Sequence, residues 1–185
     1  MKKIVIPTVS LTIICIVTAV LLAFTNQATA PKIEELAVKN AKEAQSAVLE
    51  AAVDFEDKDI NFNDKTYTYQ IGTDKNGKEV GYVFTTTANG YGGVIKVMTG
   101  VDLNGIVTRV QILELSETAG LGMNAQNDGF KQQFKGHMSG IAVTKSEPKD
   151  NEIKAITGAT ITSKAVTKAV NEALDLFNEV TGGEN

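Results

Sequence analysis

The chain has 185 residues, 43% of them hydrophobic, with a formal charge of −4, one cysteine and one histidine. The length fits one domain behind one apolar N-terminal segment. Removing Lys2 and Lys3 takes the charge of the remainder to −6. That excludes the basic face that nucleic acid rewards and argues against a domain lying flat on anionic lipid. A single cysteine, Cys15, rules out an internal disulfide, and no Cys/His cluster offers ligands for iron–sulfur, haem or zinc. His137, standing alone, reads as a surface or structural residue.

Residues 1–30 read as a membrane anchor and 31–185 as one extracytoplasmic domain. Ile4 to Phe24 is a run of 21 residues without a charge. As a helix it spans about 31 Å, matching a hydrocarbon core of about 30 Å. Lys2 and Lys3 precede it, so the positive-inside rule predicts a cytoplasmic N-terminus and an extracytoplasmic C-terminal domain. The competing reading is a cleaved signal peptide with Ala28-Thr29-Ala30 as its small-x-small site, but the run exceeds an h-region of about 7–15 residues. Cys15 follows no lipobox-like sequence and reads as a small apolar residue of the helix.

From Ile33 to about Val53, Ile33, Leu36, Ala37, Ala44, Ala47, Val48 and Ala51 recur at helical spacing, predicting an amphipathic helix. The polar stretch Glu56 to Lys65 reads as loop. Thr66–Gln70, Glu79–Thr87, Val94–Val101 and Ile106–Leu115 are rich in Val, Ile, Thr and Tyr and read as strands. Asp74-Lys75-Asn76-Gly77 and Asp102-Leu103-Asn104-Gly105 contain Asn-Gly, a strong hairpin signal, so an antiparallel sheet follows. Asp128 to Phe134 suggests a short helix; Ile141–Val143 and Ile153–Ile156 suggest short strands. Val166, Ala169, Val170, Ala173, Leu174 and Phe177 stripe a terminal helix from Ser163 to Val180, stopped by Thr181-Gly182-Gly183. The expected class is α+β: one transmembrane helix, then an antiparallel sheet with a C-terminal helix.

Thr157-Gly158-Ala159-Thr160-Ile161-Thr162-Ser163 lies between a predicted strand and that helix. Two readings stand side by side. Unpaired N–H groups and the positive end of the helix dipole make the turn a phosphate site. Alternatively, the Thr and Ser hydroxyls simply cap the helix. No G-x-G-x-x-G follows a strand, so dinucleotide binding is not expected.

Thr157-Gly158-Ala159-Thr160-Ile161-Thr162 resembles the [S/T]-G-A-T-x-[S/T] motif of the FMN-binding domain family. Glu117-Thr118-Ala119-Gly120-Leu121-Gly122 is similar to that family's E-T-P-G-L-G loop, and Gly90-Tyr91-Gly92-Gly93-Val94-Ile95-Lys96 to its G-Y-G-G-x-I segment. Motif order, anchor and length look more like the G subunit of the Rnf complex than the longer C subunit of the sodium-pumping NADH:quinone reductase. The resemblance implies FMN held as a phosphoester on Thr160, installed by a flavin transferase from FAD. It places Thr157, Gly158, Ala159, Thr162 and Ser163 around the attachment point, and Glu117, Thr118, Gly120, Leu121 and Gly122 against the flavin. It implies no catalytic residue and no metal, but an electron relay working with other integral membrane subunits. The complex moves electrons between ferredoxin and NAD+ and couples this to Na+ or H+ transport. Alternatives are a stand-alone membrane-tethered flavoprotein of another extracytoplasmic chain, or a cofactor-free tethered binding or assembly module. Two positions depart from the pattern: Lys154 stands where relatives commonly carry Asp, and Ala119 where they carry Pro.

Overall fold

A computed structural model describes residues 2–183. The chain divides into two units, Met1–Asn40 and Ala41–Asn185. Residues 2–40 of the first lie within helix α1 (Lys2–Val48). It is long and apolar enough to cross a membrane, and its Ile, Leu and Val side chains are exposed. Its threonines fold their hydroxyls back: Thr8 donates to the Ile4 carbonyl, Thr12 to Thr8 and Thr25 to Leu21 at 2.8–2.9 Å. Polar groups are thereby satisfied inside the helix, as an apolar solvent demands.

The second unit is built on a five-stranded antiparallel meander in the order β1 (Asp54–Phe62), β2 (Lys65–Thr73), β3 (Glu79–Asn89), β4 (Val94–Asp102), β5 (Val107–Glu114). The four predicted strands are β2 to β5. The predicted loop over 56–65 is instead mostly β1. Its Ile60 and Phe62 pack against the main core. On the other face Asp57, Asp59 and Asn61 accept hydrogen bonds from Gln70, Thr68 and Thr66. An edge strand tolerates such acidity, and charge there discourages pairing with another chain. Asn63 and Asp64, at φ +50° and +60°, make the two-residue turn into β2.

The amphipathic helix predicted to reach Val53 stops at Val48, because the next residue docks on the sheet. A Cβ on Gly72 would lie 2.5 Å from the Leu49 side chain, and one on Gly100 only 2.2 Å from the Val48 carbonyl oxygen. Glycine thus opens the sheet face to the helix end. The Asn-Gly turns form as expected. The Asp74 carboxylate accepts from the N–H groups of Asn76 and Lys78, and Asp102 from those of Asn104 and Ile106.

The other face of the sheet carries the core. Phe84, Val97, Val101, Val107 and Val110 meet Val166, Ala169, Val170, Leu174 and Phe177 of the terminal helix, all buried. Thr86 donates across this interface to the Ala169 carbonyl at 2.7 Å. Between sheet and helix come a 3-10 turn (Gly122–Gln126), α2 (Asp128–Lys131) and the parallel pair β6 (Ala142–Thr144) and β7 (Glu152–Lys154). The terminal helix, α3, spans Thr160–Thr181. It starts three residues earlier than periodicity suggested, so Thr160, Thr162 and Ser163 sit in its first turn.

Candidate functional site

β7 delivers the chain to the start of α3. The Ala155 N–H donates to the Thr144 carbonyl at 2.8 Å, extending the β6–β7 pairing. A turn follows, closed by the Ala159 N–H on the Ile156 carbonyl at 2.9 Å, with Gly158 at φ +78°. That left-handed position suits glycine. The residue at the N-cap is Ala159, with no side-chain cap. The capping reading of Thr157 to Ser163 therefore fails. The N–H groups of Thr160, Ile161 and Thr162 meet no acceptor among the described residues. They are the orphan donors of a helix start, at the positive end of its dipole.

The hydroxyls of the segment differ in role. Ser163 is fully buried; its Oγ donates to the Ala159 carbonyl at 3.0 Å and accepts from the Ile156 N–H at 2.9 Å. It latches the turn from inside. Thr162, 1% exposed, donates to Glu117 Oε2 at 3.0 Å. The Thr157 and Thr160 hydroxyls bond to no other described residue.

Glu117 joins the three motif segments. Its Oε1 accepts from the backbone N–H of Tyr91 at 2.7 Å and of Gly92 at 3.1 Å, while Oε2 takes the Thr162 hydroxyl. Space for the carboxylate comes from glycine on two sides. A Cβ on Gly90 would lie 2.1 Å from Oε1, and one on Gly122 2.6 Å from Oε2.

These elements enclose a cleft of about 660 Å³. Thr157, Gly158, Ala159, Thr160 and Thr162 form one wall; Glu117, Thr118, Leu121 and Gly122 form the facing one. Gly120 and Ser163 were also predicted in the site but do not line the cleft. Gly120 is an exposed residue at φ +75°, and Ser163 lies behind the turn. Sequence reasoning missed Lys145, Ala155 and Ile156, and named Tyr91 and Ile161 only as parts of motifs. Ile156 and Ile161 lie beside or within the threonine motif, and that adjacency was the available signal. Lys145 carried none, because only the β6–β7 pairing brings it near. Lys154 is outside the cleft, paired with Glu147.

The lining suits one kind of ligand. Tyr91, Leu121 and Ile161 are 74%, 44% and 54% exposed, an apolar rim for a planar ring. The orphan N–H groups and Lys145 suit an anion. Thr160 supplies a free hydroxyl. The volume lies within the range of about 300–1,000 Å³ typical of cofactor sites. FMN, with a flat ring at one end and a phosphate at the other, fits this donor set. No group of metal-ligating side chains occurs among the described residues. A larger groove of about 730 Å³ runs along α3 past Lys164, Lys168, Glu172 and Asp175. It is more polar and holds no residue of the Thr157–Thr162 or Glu117–Gly122 segments.

The FMN-binding domain family matches over residues 90–175. The chain is 35% identical to the G subunit of the proton-translocating ferredoxin:NAD+ oxidoreductase complex of Clostridium ljungdahlii, over 96% of this chain and 93% of that one. It is 37% identical to the G subunit of the Na+-translocating counterpart of Acetobacterium woodii, over 91% and 89%. Two solved structures share the fold. They are NqrC of Shewanella oneidensis (TM-score 0.52, 19% identity, 69% of this chain and 67% of that one) and the C subunit of the Na+-translocating NADH-quinone reductase of Parabacteroides distasonis (TM-score 0.54, 23%, 65% and 65%). With near end-to-end similarity above 30% identity to two such subunits, and an FMN-binding domain matched over its residues 90–175, the chain belongs to the family of G subunits of ion-translocating oxidoreductase complexes.

Proposed function

We propose that this chain is the electron-relay subunit of a membrane complex of the Rnf type, carrying FMN as a phosphoester on Thr160. One observation carries the reading: a free threonine hydroxyl stands beside three unpaired helix N–H groups at an apolar-rimmed cleft. The complex passes electrons between ferredoxin and NAD+ and couples this to Na+ or H+ translocation. FMN supplies the redox chemistry when bound. The chain's own residues bind and place it. The Thr160, Ile161 and Thr162 amides and Lys145 hold the phosphate, while Tyr91, Leu121 and Ile161 shield a ring face from water.

Attachment is a phosphoryl transfer catalysed by a flavin transferase. Thr160 Oγ1 forms a new bond to the FMN-side phosphorus of FAD. The pyrophosphate bond breaks, AMP leaves and the hydroxyl proton passes to solvent. A covalent bond retains the flavin outside the cytoplasm, where no FMN pool replaces it. Residues 1–30 anchor the chain with its N-terminus in the cytoplasm, and residues 31–185 form the extracytoplasmic domain. The anchor keeps the flavin near the other integral membrane subunits.

The test is a denaturing gel of protein co-expressed with a flavin transferase, viewed under ultraviolet light. Wild type gives a fluorescent band and Thr160→Val gives none. Thr162→Val gives a weaker band, since Glu117 loses a partner. A dark wild-type lane overturns the covalent reading; loss only in Thr162→Val moves the site.

A further inference from the structure

We infer that Glu117 is the positioning residue of the flavinylation site. Its carboxylate clasps the Gly90–Gly93 turn to the first turn of α3, and it engages Thr162 so that, within that helical turn, Thr160 is the hydroxyl left to react. This rests on the covalent-FMN reading above. The geometry is specific. Glu117 Oε1 gathers two backbone amides, Tyr91 and Gly92, from the turn between β3 and β4. Oε2 holds Thr162, two residues along α3 from Thr160. Three segments distant in sequence meet on one side chain.

The clasp occupies both carboxylate oxygens of Glu117. Its role is to fix protein against protein, from a position in the cleft lining. Charge-assisted hydrogen bonds to backbone amides are about twice as strong as neutral ones, so this clasp is strong for its size. Its neighbours are built around it. Gly90 and Gly122 leave room where any Cβ would collide with the carboxylate, and the Gly90 N–H closes its own turn on the Gly93 carbonyl at 2.8 Å.

The consequence is site choice. Thr160 and Thr162 carry the same hydroxyl in one helical turn. Thr162 is buried, and its hydroxyl is turned onto Glu117, so it is the burial of this oxygen that withholds it from an incoming phosphorus. Thr160 has no such partner and lines the cleft. Glu117 acts here through placement of the turn and through sequestration of the second threonine.

The test uses full-length protein with purified flavin transferase and FAD. Initial rates of flavin incorporation are measured, and the modified residue is mapped by peptide mass spectrometry. Glu117→Ala lowers the rate at Thr160 roughly tenfold, the scale of a lost hydrogen bond to a charged group. It also puts a detectable share of flavin on Thr162. Glu117→Gln restores the rate to within a few-fold and the label to Thr160 alone. Its amide oxygen still accepts from Tyr91 and Gly92, and its amide nitrogen donates to Thr162 Oγ1. Gly122→Ala is the second variant. It keeps Glu117 but drives a methyl into the contact with Thr162, and it slows incorporation as Glu117→Ala does.

Circular dichroism establishes which variants are folded; if Glu117→Ala is not, Gly122→Ala decides. Wild-type rate and site in a folded Glu117→Ala or Gly122→Ala overturns the inference. So does a Glu117→Gln protein as slow as Glu117→Ala. Failure of wild type to take flavin on Thr160 overturns the underlying reading instead, and the two failures are distinguishable in the same assay.

Discussion

Thr160, Thr162 and Ser163 share one helical turn, yet only Thr160 keeps a free hydroxyl on the cleft. The motif made Thr160 legible as the proposed attachment point. The division of labour among its neighbours was not legible. Whether a hydroxyl faces cleft, carboxylate or core depends on the residue at which α3 begins. Periodicity started the helix at Ser163, three residues before Val166 opens the apolar stripe. The structure starts it at Thr160, and Ser163 becomes an internal latch. Ser163→Ala removes that latch and leaves the half-buried Ile156 N–H without its acceptor. It should cost about 1–3 kcal/mol of unfolding free energy, measured by urea denaturation. An unchanged midpoint would show the latch to be dispensable.

At the scale of elements, β2 to β5 and α3 were readable because their apolar residues keep one period throughout. β1 was not, because its outward face is acidic and its turn is Asn-Asp rather than Asn-Gly. The end of α1 was set by tertiary docking of Leu49 against a glycine-lined patch, which no local pattern reveals. Gly100→Ala places a methyl 2.2 Å from the Val48 carbonyl, so it should lower the melting temperature by several degrees; a stabilised variant contradicts the docking.

On α3, partial desolvation and then neighbouring Glu172 raise the carboxyl of the surface residue Asp175 above its ordinary value. A carboxyl raised on folding favours the native state when protonated and opposes it when ionised. Its favourable contribution is full below the unfolded value of 3.8 and is lost as pH rises through the folded value. Asp175→Asn should therefore melt higher than wild type at pH 7. The advantage should shrink as pH falls through the raised value. A pH-independent difference would exclude this cause. The charge of Glu172 is itself engaged by Tyr67, whose phenol donates to it at 2.5 Å and is pushed up to about 12, chiefly by that bond.

For the whole molecule, the sequence pattern of an uncharged run followed by an acidic domain predicts a tethered module. The second unit begins at Ala41, inside the residues expected to form the domain. A single cysteine at the exposed Ser146 should react with a membrane-impermeant maleimide in intact cells, in a Cys15→Ala background. Labelling only after permeabilisation would reverse the proposed orientation. The cleft itself was partly legible. Its two walls come from motifs that resemblance connects, but their meeting on Glu117 and the approach of Lys145 are products of the fold.

The central claim is that the chain carries one FMN through Thr160. Mass spectrometry of the denatured, protease-digested protein, purified after co-expression with a flavin transferase, tests it most directly. The account predicts that the peptide containing Thr160 gains the mass of one FMN less one water, with fragment ions placing it on that threonine. An unmodified Thr160 peptide in protein that has met an active transferase and FAD would contradict it.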